Sequence, residues 1–243
     1  MGAEKLARPE FPPRLLAEGA VIVISILLAF GIDAWWADRQ GRAEEQLALE
    51  ALRQEFIFNI DLLQEAHVIQ LDLMQKADRL NRLLLDADDG ATINVADSLL
   101  YVLVVYRTPD VAMGSLNTLL ASGQIGIIRN AEIQRALAGW PARVDGTVEQ
   151  EVLIRDFMVD ALIPGLIGHA DLTGVMTARM THGLTTGNAF ELTGREYAVL
   201  VDDVSRTLVG QRAFLARLLL PASENRIIEA ERILRLIEDQ LNS

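Results

Sequence analysis

Cysteine is absent from this chain of 243 residues. That excludes disulfide bonds, a thiolate nucleophile and any Cys-ligated metal. Basic residues are scarce: 22 Lys and Arg stand against 34 Asp and Glu, a formal net charge of −12. A phosphate-binding face needs the opposite balance, so nucleic acid is not an expected partner. Aromatic residues make up only 5%. Leu, Ile, Val and Ala dominate instead, which favours helices over a β-sandwich. The histidines His67, His169 and His182 are scattered, without HxxxH or HExxH spacing, so no metal centre is expected. No internal repeat or low-complexity tract appears.

What the chain has is one long apolar run. Leu15 to Trp36 reads LLAEGAVIVISILLAFGIDAWW, with no charge between Gly19 and Ile32. That is about the 20 residues a helix needs to cross a hydrocarbon core of about 30 Å. Nothing later looks like a second span. Ala29-Phe30-Gly31 faintly resembles a signal-peptide cleavage site. Against cleavage stand a long flank containing Glu4, Glu10 and Pro12-Pro13, and the Trp35-Trp36 pair, suited to the interfacial aromatic belt. The helical pattern also continues past the run. An uncleaved anchor is therefore expected, with a flank at 1–14, a transmembrane helix at 15–36 and a helical extramembrane domain at 37–243. Lys5, Arg8 and Arg14 before the span nearly balance Arg39, Arg42 and Arg53 after it. The free amine tips the expectation towards a cytoplasmic N-terminus and a periplasmic domain.

Beyond Trp36 an apolar stripe runs Leu49, Leu52, Phe56, Ile60, Leu63, Ala66, Leu73, Ala77, Leu80, Leu84. Its steps of three and four mark a buried helical seam. No proline falls between Leu15 and Asp86, so the span is expected to run on as a stalk, with Gly31 and Gly41 the weak points. The turn DADDGAT, Asp86 to Thr92, precedes an expected short core helix from Val95 to about Arg107, capped by Asn94 and ended by Thr108-Pro109. A third helix is expected over Val111–Ala121, closed by Ser122-Gly123. Asn130 caps a fourth, which Pro141 should kink or split and Pro164 end. The Gly- and Thr-rich stretch His169–Leu192 reads as a long loop with one short helix. Thr193-Gly194-Arg195-Glu196 matches a capping box ahead of a stripe at Tyr197, Leu200, Val201, Val204, Leu208 and Leu215. Pro221 should break that helix before a terminal one through Ile227, Leu234 and Leu241. The fold class expected is all-α: one N-terminal transmembrane helix continuing into a stalk and an elongated helical bundle, with coiled-coil-like packing.

Two blocks carry a family resemblance. The first comprises Glu18, an apolar run to Ala29, Ile32 and Trp35, then Glu45, Leu49, Leu52, Glu55, Asn59 and Leu63. The second comprises Thr108-Pro109 and LLASGQIGIIRNAEIQRAL, Leu119 to Leu137. In order and spacing they resemble an uncharacterised family of bacterial single-span membrane proteins, a domain of unknown function. The resemblance covers about the first 140 residues and weakens after Pro141. It implies a membrane anchor with a helical domain and supplies no activity.

No catalytic constellation stands out. Ser122 lies outside any GxSxG elbow. Gly123-Gln124-Ile125-Gly126 lacks the third glycine and the preceding strand of a dinucleotide site. The residues singled out are therefore of two kinds. Glu18, Ser25, Ala29, Trp35 and Trp36 mark the anchor; a carboxylate such as Glu18 in a membrane helix is costly, and small residues permit close helix packing. Leu49, Leu52, Phe56, Ile60 and Leu63 form the seam, covered either by the chain's own later helices or by another copy. The expected function is a non-enzymatic, cofactor-free, membrane-anchored helical interaction or scaffold protein of a bacterial inner membrane, accessory to a membrane complex. Its expected partners are the lipid bilayer and either another protein or a homo-oligomer. The alternative is a ligand- or lipid-sensing helical domain on the same anchor.

Overall fold

The computed structural model describes residues 13–177 and 194–242. Helix α1 runs Pro13–Asp86, 74 residues without interruption. At 1.5 Å per residue that is a rod of about 110 Å. Gly31 and Gly41 do not interrupt it. Polar pairs one turn apart line its exposed faces, among them Gln40 with Glu44 and Asp72 with Lys76. Only α1 among the described helices is long and apolar enough to cross a membrane. Its most apolar 18-residue window has mean hydropathy 1.8, and none of that window is buried against the chain.

After a turn at Gly90, where φ is 76°, strand β1 occupies Thr92–Ala96. A short helix α2 follows at Asp97–Leu100, then a 3-10 turn at Tyr101–Leu103. Helix α3 spans Gly114–Ala121, helix α4 Ala131–Phe157, strand β2 Glu196–Leu200 and helix α5 Asp203–Leu241. Helix α5 lies antiparallel along α1: Arg53 pairs with Glu238, His67 with Ser223 and Asp78 with Arg217. Helix α4 packs on both, making a three-helix bundle. The two strands pair antiparallel in a small ribbon, with Asn94 opposite Ala198. The fold is all-α apart from that ribbon.

The apolar seam is covered by the chain itself. Leu49, Leu52, Phe56, Ile60 and Leu63 are core residues, packed with Leu116, Ile128, Ile133, Leu137, Trp140, Ala230 and Ile233. A second core lies farther along α1. There Leu73, Ala77, Leu80 and Leu84 meet Leu100, Leu103, Met158, Leu162, Val199, Val209 and Leu219.

Four local expectations are corrected. The helix expected from Val95 to Arg107 is confined to α2 and the 3-10 turn at Tyr101–Leu103, Val95 and Ala96 belong to β1, and Asn94 sits in the ribbon rather than at a cap. Glu196–Leu200 is a strand, so the box beginning at Thr193, which itself lies outside the described residues, starts no helix there. The cap is Asp202, whose side chain accepts from Ser205 N while Ser205 Oγ accepts from Asp202 N. Neither Pro141 nor Pro221 divides its helix. Each removes one hydrogen bond, but burial on both sides carries the helix through: Trp140 and Val144 flank the first, Leu219 and Ser223 the second. Pro164 does perturb α4. Having no N–H for the carbonyl four residues back, it follows a wider π turn at Met158–Leu162. The helix starting at Asn130 is capped as expected, by bonds from Glu132 N and Ile133 N to its side chain. Gly123 closes α3 with φ 70°, a conformation that favours glycine. Of the stretch His169–Leu192, residues 172–177 are helical and 178–192 lie outside the described residues.

Candidate functional site: anchor, clasp and buried polar layer

Val21 to Trp36 project from the bundle with every side chain exposed; Leu27 is 64% and Phe30 67% accessible. Ser25 donates its hydroxyl to the Val21 carbonyl at 2.8 Å, so that proton is spent within its own helix. Ala29 lies on the same bare rod, and Glu18, three residues before Val21 on the same helix, is exposed. Trp35 and Trp36 sit 6.3 Å apart between ring centroids, and the Arg39 guanidinium lies 5.9 Å from the Trp35 ring. That cation–π contact holds one end of the aromatic pair at the polar boundary.

Just beyond, α1 holds the segment 111–129 through four polar side chains, Asn59, Glu55, Glu45 and Asp38. Asn59 donates to Ala112 O at 2.7 Å and accepts from Ala112 N at 2.8 Å, like one rung of a sheet. The Glu55 carboxylate accepts from Ser115 N and Leu116 N, capping α3, whose own N-cap Met113 offers no side-chain bond. A carboxylate there satisfies orphan N–H groups and complements the helix dipole. Glu45, only 6% exposed, accepts from Arg129 N at 2.7 Å. Arg129 also bonds Asp38, which pairs with Arg42 as well; these hydrogen bonds hold the Asp38 carboxyl below its ordinary pKa. The clasp thus joins Glu45, Glu55 and Asn59 of the first resemblance block to the stretch around and within the second. The sequence alone offered these residues as a pattern; the structure assigns them a docking role.

Between the two apolar cores lies a polar layer that the sequence reading missed. Glu151 of α4 and Arg226 of α5 form an ion pair at 3.2 Å, each side chain 2% exposed. Desolvation raises the Glu151 pKa above the ordinary carboxylate value, against the pull of Arg226, and burial lowers that of Arg226. Arg212, equally buried, donates to the carbonyls of Val102 and Val105; burial lowers its pKa to about 10, so it stays protonated. Glu151 Oε2, Gln70 Oε1, Arg107 Nε and Arg226 Nε and Nη1 have no hydrogen-bond partner among the described residues. A cavity of about 20 Å³, lined by Gln70, Arg107, Glu151 and Arg212 among others, adjoins them. That is room for about one water molecule. A signal for this layer was in the sequence. Glu151 falls on the α4 stripe between Val144 and Ile154, and Arg226 on the α5 stripe between Leu219 and Ile233.

Among the described residues no group of three or more His, Cys, Asp or Glu is placed to hold a metal. No family model, curated protein or solved structure matches the chain.

Proposed function

We propose that this chain is a membrane-anchored helical scaffold or interaction protein, accessory to a complex of a bacterial inner membrane, in line with the family resemblance. The observation that carries the reading is the continuity of α1. The same unbroken helix is a bare apolar rod from Val21 to Trp36 and the central member of the bundle from Glu45 to Leu84. Anchor and domain are one mechanical body, which suits a protein that holds a surface at a set height above a bilayer. The flanking charges are nearly balanced, and an outward-facing, periplasmic domain is the orientation proposed.

The test has three parts. The protein should resist carbonate extraction, as a full span does and a surface helix does not. A reporter active only outside the membrane, fused after Ser243, should be active. In mild detergent the protein should run with a partner or as an oligomer; extraction by carbonate, or a lone monomer in native membranes, overturns the proposal. The ligand-sensing alternative calls for a buried polar cavity, and the one in the Glu151 layer holds about one water rather than a larger ligand.

A further inference from the structure

The clasp orients the segment 111–129 along α1. Ala112 sits beside Asn59, Ser115 beside Glu55 and Arg129 N beside Glu45, while the Arg129 guanidinium reaches Asp38. The segment therefore descends α1 towards the apolar rod. Its lowest fixed point is Arg129, and the turn Gln124–Ile127 ends two residues before it in the chain. Asp38 is two residues past Trp36, about 3 Å along the helix, and Glu45 about 14 Å past it. Headgroups extend about 5–8 Å beyond each face of the hydrocarbon. With α1 crossing a bilayer at Leu15–Trp36, the Arg129 guanidinium, bonded to Asp38, stands within the headgroup layer, and its backbone, bonded to Glu45, stands just outside that layer.

Composition points the same way. Val111 to Ile128 holds no charged residue, the longest such stretch in the chain and longer than Gly19–Ile32 in the span. Its exposed positions are Gly114, Asn117, Thr118, Ala121, Ser122, Gly123, Gln124 and Gly126. A surface facing open water has no need to exclude charge; one pressed against headgroups loses less on desolvation if it is small and uncharged. Beside the turn, an open cleft of about 380 Å³ lies between Arg42, Arg129, Leu49 and Leu241. The opposite end of the domain is acidic: Asp86, Asp88, Asp89, Asp202 and Asp203 cluster around the ribbon.

We infer that the Gln124–Ile127 turn and Arg129 form a second membrane contact, seated on the headgroup layer of the same bilayer that α1 crosses. This rests on the anchor reading. The seat fixes the tilt of the rod, and its occupant is phospholipid headgroup rather than another protein.

A cysteine-free chain makes the test direct. Single cysteines are introduced at Gly126, Leu28 and Asp88, labelled with an environment-sensitive fluorophore, and the full chain is reconstituted in phosphatidylcholine vesicles. A Cβ at Gly126 meets nothing within 4 Å, so G126C is expected to fold. Nitroxides on the headgroup or deep in the acyl chains then report depth. The G126C label should be quenched by headgroup nitroxide about tenfold more than the D88C label, which lies past the far end of α1, about 60 Å beyond the level of Glu45. Equal, weak quenching at both sites overturns the inference. Shielding of G126C from aqueous iodide without headgroup quenching also overturns it, and identifies a protein contact instead. The L28C label reads the anchor separately: strong acyl-chain quenching there is expected, and its absence defeats the anchor reading whatever G126C reports.

Discussion

The two cores on α1 are built by different rules. In the one nearer the rod, helix packs on helix. Phe56 and Trp140, both fully buried, meet with ring centroids 5.3 Å apart, and the α1 contributors Leu49, Leu52, Phe56, Ile60 and Leu63 recur at steps of three or four. In the farther core the α1 stripe meets a segment buried on all sides. Leu99, Leu100, Tyr101, Val102 and Leu103 are each 7% exposed or less. A half-buried helix carries a period because only one face is apolar. A segment enclosed all round carries none, and its local structure is decided by what surrounds it.

The largest expected effect tests whether the nearer core is internal. Phe56→Ala should cost about 3–5 kcal/mol. Phe56→Asp should unfold the domain, seen as lost helicity by circular dichroism in detergent. A Phe56→Asp protein that keeps its helicity but changes oligomer size would place the seam between copies instead. The same contrast explains what was legible. The seam from Leu49 to Leu84, the Asn130 cap and the Gly123 turn followed from local chemistry. The ribbon did not: Thr92–Ala96 and Glu196–Leu200 pair across about 100 residues of chain, and each alone alternates too briefly to outweigh a helical reading. Pro141 and Pro221 were misread because local cost was weighed without the tertiary burial around them. The anchor was legible as an apolar run; the Glu151–Arg226 layer was hidden because charged residues on an apolar stripe look like interruptions.

That layer separates the two cores, so removing it tests how independent they are. Arg226→Ala leaves Glu151 buried without its partner and should destabilise by about 3–5 kcal/mol. The double change Glu151→Leu with Arg226→Met should instead be neutral or stabilising by up to about 4 kcal/mol. Denaturant titration of the three variants checks both. A double variant as unstable as Arg226→Ala would show that the pair matters for more than its own charges, with the water-sized cavity and Gln70 the next residues to change.

A smaller effect is expected at the ribbon. Val199, 3% exposed, fills the farther core from β2. Val199→Ala removes two methyl groups and should cost about 2 kcal/mol. Hydrogen exchange should locate the loss at Thr92–Ala96 and Leu99–Leu103, leaving α3 and the Asn130 end of α4 protected. Equal loss of protection at both ends would mean that the two cores melt as one unit.

The smallest expected effect is a pair of pH dependences of opposite sign. The Asp202 pKa is lowered from 3.8, chiefly because its carboxylate accepts from Ser205 N at the start of α5, with His169 at 2.9 Å a lesser cause. A depressed carboxyl contributes stability above the unfolded value that is lost as pH falls through the folded one. Asn is also a good cap but does not titrate. Between pH 5 and pH 2, therefore, the melting temperature of Asp202→Asn should fall less than that of the unmodified chain. Glu151 behaves the other way. Its folded pKa is raised above 4.5 by desolvation, so in the window from 4.5 up to that folded value the native state binds the extra proton and stability falls as pH rises. Glu151→Gln should flatten this decline. Glu151 lies between the cores, whereas Asp202 caps the helix they share, so loss of the Glu151 contribution should first expose amides near the Gln70 layer in hydrogen exchange. A Glu151→Gln profile parallel to that of the unmodified chain from pH 4 upward would mean that Arg226 keeps the carboxylate ionised throughout, and that the layer is an ion pair at every pH at which the protein is folded.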